Sequence, residues 1–172
     1  MNAITELEKL PRETLIEIIE MLGRNWLTVD GLWFQNIENE FGLETAVRFD
    51  EKIWERQSLI EAGRIKRVFE ITEKGLLAVV KANIFLAAYF NPAFDFELQE
   101  ISPNEVIQTC IHCPNQEVRI KQGQEIFPCK KVGLMERTNF AKVIDPEVKV
   151  ECLVCPPDPR PPNVWCQWKL TK

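Results

Sequence analysis

The chain has 172 residues, 45% of them hydrophobic, including five Trp and ten Phe. That is enough apolar material for a sizeable core without disulfide staples. No positively charged leader runs into an apolar stretch after Met1, so a cytoplasmic, reducing setting with free thiols is expected. The formal charge of −5 conceals an asymmetry: residues 1–60 carry 6 basic and 12 acidic side chains, residues 101–172 carry 10 basic and 8 acidic. So small and scattered a basic excess does not track phosphates, and no nucleic-acid partner is expected.

From the N-terminus, Pro11 suits the first turn of a helix, and Leu15, Ile19, Leu22, Trp26, Val29, Trp33 and Ile37 recur at three- and four-residue steps. This spacing predicts a long amphipathic helix, bent near Gly23. Gly42 is a natural stop, after which Val47, Trp54, Ile65 and Val68 keep to one stripe of a second long helix. A third is expected from Glu73 to just before Pro92. Its apolar run, Leu76 to Phe90, is too short for a membrane span and carries Lys81 and Asn83, so it reads as a buried helix and no membrane partner is expected.

The period then changes. Phe94, Phe96 and Leu98 alternate with Asp95, Glu97 and Gln99 as a strand does, and Ser102 to Asn104 makes the turn into a second strand over Val106–Ile111. Asn115–Gln122 and Lys130–Ile144 read as two further helices, separated by Gly123 and Pro128, and Asp145-Pro146 ends the second. Val148, Val150, Cys152 and Val154 form one face of a third strand; Val164, Cys166, Trp168 and Leu170 form one face of a fourth.

Ten of the eleven prolines follow residue 91, yet no Gly/Ser linker divides the chain. The expectation is an α+β fold over residues 1–172 as one domain. Long N-terminal helices (1–91) pack on a C-terminal layer (92–172) that holds a four-stranded antiparallel sheet and two additional short helices.

All six cysteines lie after residue 109. If the last two strands pair with Val154 opposite Val164, Cys152 comes to lie opposite Cys166 on one face. Cys113 precedes Pro114 after a strand, and Cys129 follows Pro128 at a helix start, where free amides favour a thiolate. Cys110-x-x-Cys113 and Cys152-x-x-Cys155 have the count for tetrahedral zinc, whereas the tight run of bacterial ferredoxins is absent. Buried reduced thiols and a redox or nucleophilic thiol are the alternatives. Candidate ligands are therefore Cys113, Cys129, Cys152, Cys155 and Cys166, with Cys110 as the outsider.

Trp26-Leu27, Asp30-Gly31-Leu32-Trp33-Phe34, Phe127-Pro128-Cys129-Lys130 with Val132-Gly133, Cys152-x-x-Cys155-Pro156-Pro157-Asp158 and Trp165-Cys166-x-Trp168 together resemble an uncharacterised prokaryotic family of about this length. More distantly, the second half is similar to the L-2-amino-thiazoline-4-carboxylic acid hydrolase family and to 4-vinyl reductase type ligand-sensing domains. The latter resemblance implies zinc beneath a small-molecule pocket, held by Cys129, Cys155 and Cys166 with Cys113 as fourth ligand. With a single histidine, the chain departs from the hydrolase pattern in the loop before its last strand.

Asp30 lies among Trp26, Trp33 and Phe34, and an aromatic wall raises a carboxyl pKa towards general acid–base use. Glu38 lies two turns on and would share its face, and His112 is the one imidazole. A ligand pocket is therefore expected at Trp26, Asp30 and Trp33. No Gly-rich phosphate loop, H-E-x-x-H helix or Ser elbow occurs, so no nucleotide cofactor is expected. The expected protein is a zinc-thiolate module for a small apolar or aromatic ligand, able to form a homodimer. The alternative is a hydrolase-like or thiol-dependent enzyme using Cys113, Cys129 or Asp30.

Overall fold

The computed structural model describes residues 2–172. A short first helix, α1 (Ala3–Leu7), is capped by the Asn2 side chain accepting from the Ile4 N–H. The first long helix, α2 (Arg12–Phe41), starts after Pro11 as expected. It ends at Gly42, whose φ of +83° favours glycine, and α3 (Leu43–Val68) follows at once. Next come α4 (Leu76–Asn83), strands β1 (Asp95–Ser102) and β2 (Glu105–His112), helices α5 (Pro114–Lys121) and α6 (Lys130–Ile144), and strands β3 (Lys149–Val154) and β4 (Cys166–Thr171). The architecture is the expected α+β one, long N-terminal helices preceding a four-stranded antiparallel sheet.

The third helix is shorter than its apolar run. The Gly75 N–H donates to Asp145, at the end of α6, and the helix begins only at Leu76. After Asn83 the chain tightens into i to i+3 bonds, and a 3-10 turn over Ala87–Phe90 replaces the last part of the expected helix. Buried Glu61 of α3 accepts the Ala87 N–H at 2.7 Å, which gives the break a polar anchor.

The strand order is β1-β2-β4-β3, so β2 and β4 are central. Val106, Trp168 and Leu170 turn inward into one core with Ala62, Val79, Phe140 and Ile144 of the helices, and Cys110 is buried on the same face of β2. The observed register differs from the expected hairpin. Cys166 lies opposite Cys110 of β2, Cys152 lies opposite Trp168, and an irregularity between Cys152 and Val154 sets Val154 opposite Gln167. The extra residue shifts β3 relative to β4, and no turn-based count could have included it.

Helix α2 also sits differently from its expected stripe. Leu22, Val29 and Trp33 are more than half exposed and Trp26 is 37% exposed. The side facing the protein is one residue over, with Gly23, Leu27, Asp30 and Phe34. Gly23 decides this orientation, because a Cβ there would stand 2.8 Å from the Phe90 backbone. Contiguous exposed apolar side chains of this kind mark interaction surfaces on folded proteins.

Asp145 is 1% exposed and joins the termini of three elements. Lys172 and the amides of Glu147 and Gly75 donate to it, and these contacts hold its carboxyl down to about 2 from 3.8. Because the folded value is depressed, its contribution is complete above about pH 4 and fades as pH falls towards 2. Urea midpoints measured across that window should fall steeply for the native chain and less steeply for Asp145→Asn; parallel curves would contradict the assignment.

Candidate functional site

Four chain segments converge below the helices. The Trp165 N–H donates to the Cys110 carbonyl at 2.8 Å, so the chain entering β4 brings Cys166 alongside β2. The Lys130 N–H donates to the Pro156 carbonyl at 2.9 Å, which joins the start of α6 to the loop after Cys155. Gln116, 1% exposed, holds Phe127 through both its amide and its carbonyl (2.8 and 3.0 Å) and also donates to Cys129 Sγ at 3.4 Å.

These ties assemble the sulfurs into a chain. Cys129 and Cys155 are 3.4 Å apart, and the Cys155 thiol also faces Cys166. The Cys110 thiol faces both Cys166 and Cys113 and donates to the His112 carbonyl at 3.3 Å. All six cysteines are free thiols. Thiol donors at Cys110 and Cys155, together with the Arg137 guanidinium, hold Cys166 well below the ordinary thiol range. Cys113 is lowered by the Cys110 thiol and by the amides that begin α5, while Cys110 and Cys155, as donors, are raised. Cys152 is raised by burial and does not line the cavity described next.

Five of the sulfurs form one wall of a cavity of about 220 Å³ between the sheet and the helices. Phe34, Trp54, Tyr89, Phe96, Phe127 and Trp168 supply an aromatic lining. Asp30 of α2, Asp50 of α3 and Glu136 of α6 also open onto it. Burial pushes Asp30 up to about 6 and Asp50 up to about 8, the latter helped by repulsion from Asp30 and Glu136; burial raises Glu136 as well. Arg137 lies 4.5 Å above the Trp168 ring, and Gly133 leaves room for that ring, since a Cβ there would be 2.9 Å from it. Among the described residues, Arg137 Nε and Trp168 Nε1 are buried donors with no hydrogen-bond partner.

Asp30 thus lines the cavity with its carboxyl raised, as an aromatic setting predicts, whereas Trp26 and Trp33 do not line it. Cys113, Cys129, Cys155 and Cys166 come together, and Cys110, taken as the outsider, stands among them. The alternation of Val106, Gln108 and Cys110, all inward-facing, was the available signal for Cys110. Asp50, Glu136 and Arg137 gave none, because each is one charged residue on a helix full of them. Glu38 lies outside the carboxyl group and pairs with Arg119 at 2.6 and 2.7 Å. His112 is exposed, 3.1 Å from Glu117. Among the described residues no three His, Cys, Asp or Glu side chains already form a metal-holding group, and no helix is long and apolar enough to cross a membrane.

No curated protein and no solved structure matches the chain. Nothing in the comparisons links it to the thiazoline-carboxylate hydrolases or the vinyl reductase type sensing domains. Residues 8–172 match a family of unknown function, DUF6125, and the chain belongs to that family.

Proposed function

We propose that the chain is a small-molecule-binding module of a reducing compartment. In this reading a structural zinc, bound by the thiolates of Cys113, Cys129, Cys155 and Cys166, closes one wall of its aromatic cavity. The observation that carries the reading is the convergence of five sulfurs from four separate segments on one cavity wall. Zinc–sulfur bonds of about 2.3 Å put tetrahedral sulfurs roughly 3.8 Å apart, a spacing close to that of Cys129 and Cys155. Two features suit thiolates there. Gln116 already donates to Cys129, and the buried Arg137 Nε and Trp168 Nε1 donors border the wall that holds Cys166 without partners of their own. Cys110 is left out of the ligand set in this reading because its Sγ lies 3.3 Å from the His112 carbonyl, a placement that suits a protonated thiol. Four thiolates leave no open position, so the metal acts as a cross-link and the ligand sits against the aromatic wall.

Elemental analysis of untagged protein should give about one zinc per chain. Cys155→Ser should lose it, Cys152→Ser should keep it, and chelation should cost on the order of 3 kcal/mol, a fall of roughly 6–12 °C in Tm. Metal-free protein of undiminished stability would refute the zinc. A thiol-dependent enzyme is favoured by one specific feature, the depressed Cys166 thiol beside Arg137 in an open cavity. That reading predicts a single thiol alkylated far faster than the others at pH 7 in protein without zinc.

A further inference from the structure

We infer that the carboxyl end of the cavity receives the ammonium group of a small organic amine whose hydrocarbon part lies against the aromatic wall. The inference rests on the binding-module reading and adds the chemistry of the ligand.

Three helices each contribute a carboxyl to the one cavity: Asp30, Asp50 and Glu136. Asp50 is only 7% exposed, and among the described residues no salt bridge joins it or Asp30 to a cation. The groups facing Asp50 are Asp30 from α2, Glu136 from α6, and Glu51 and the Trp54 indole N–H from its own helix. Those facing Glu136 are Arg137, Glu61, Asp30 and Cys166. Of the two cations on the wall, Arg137 sits 3.6 Å from Glu136, which leaves Asp30 and Asp50 as the carboxyls without one. Arg119 is held by Glu38, and Arg137 lies over Trp168 with its amines towards Gly133, Tyr89 and Glu136.

Neighbouring carboxyls in a largely apolar cavity ionise together only at a cost unless a counter-charge is present. Burial and mutual repulsion raise the two carboxyls that lack a cation above the ordinary carboxylate range, Asp30 to about 6 and Asp50 to about 8. An ammonium supplies the missing charge, and Phe34 and Trp54 nearby offer rings to a cation. Size limits the rest of the ligand. A cavity of about 150 Å³ admits benzene, so 220 Å³ suits one ring with a short side chain.

The sign of the proton linkage follows. At pH 7 Asp50 is mostly protonated, so seating an ammonium beside it should release a proton, and binding should weaken as pH falls below about 8 and again below about 6, where Asp30 also protonates.

The test uses the 172-residue protein as purified, with three probes of similar shape: 2-phenylethylamine, 2-phenylethanol and phenylacetate. Titration calorimetry in two buffers of different ionisation enthalpy should show the amine binding at least tenfold tighter than the alcohol, with release of up to one proton. The preference should shrink at pH 5.5, and in Asp50→Asn and Asp30→Asn, each checked for native circular dichroism. Equal binding of alcohol and amine, or tighter binding of phenylacetate, would overturn the inference while leaving the pocket intact. Binding by none of the three would overturn both. An amine preference unchanged in both variants and at pH 5.5 would also overturn it.

Discussion

Trp168→Ala is expected to lower the stability of the chain by about 3–5 kcal/mol, the range for removing a buried aromatic side chain. The indole is 1% exposed in a central strand, opposite Gln108 on one side and Cys152 on the other. It fills the space that Gly133 leaves, and the Arg137 guanidinium lies 4.5 Å above it. The substitution therefore removes core volume, a cation–π contact and the cavity wall beside the sulfurs together. Domains of this size are commonly stable by only 5–15 kcal/mol, so a shift of the urea midpoint large enough to populate unfolded chain at 37 °C is expected. Trp168→Phe, which keeps most of the volume, should cost less than half as much. A loss under about 1 kcal/mol for the alanine variant would show that the ring is not a packing element.

The second large effect concerns the ion pair between Glu38 and Arg119, whose side chains are 15% and 4% exposed. Arg119 also donates to the Glu125 carbonyl at 2.6 Å and lies 5.5 Å from the Phe34 ring centre. Removing one partner strands the other charge in a poorly solvated place, which typically costs 3–5 kcal/mol, whereas replacing both by apolar groups of similar volume is often neutral. Arg119→Met alone should therefore destabilise by about 3–5 kcal/mol, and Glu38→Leu with Arg119→Met should recover most of that loss. The double-mutant cycle measured by denaturant unfolding decides it: additive losses would mean that the pair is screened and structurally idle.

The periodicity of the sequence carried most of the architecture, because apolar spacing answers directly to burial. Gly42, Pro114 and Asp145-Pro146 bounded helices where their backbone preferences require. Two features escaped for the same physical reason, that a second element selects between nearly equal local solutions. On α2 two stripes one residue apart both satisfy helical spacing, and only the approach of Phe90 to Gly23 chooses between them. In the last hairpin, alternation identified the inward residues but not the irregularity that sets Cys152 against Trp168. The sulfur grouping was readable as a grouping, while its membership depended on the pairing of β2 with β4, two strands separated by 53 residues of chain, which sets Cys110 opposite Cys166. The carboxyl end was the least accessible, since Asp30 alone had aromatic neighbours in sequence and Asp50 and Glu136 join it only after folding.

The cavity wall takes its carboxyls from residues 30 to 136 and its sulfurs from residues 110 to 166, so no shorter stretch of the chain contains it. A ligand that filled it would bind the folded chain and have nothing comparable to hold in the unfolded one. By mass action, a ligand present at a hundred times its dissociation constant adds about 2.7 kcal/mol to the stability of the entire chain. Under the binding-module proposal, occupancy would be coupled to lifetime: a cell rich in such a ligand would hold more of this protein against proteolysis than a cell without it, with no change in its synthesis.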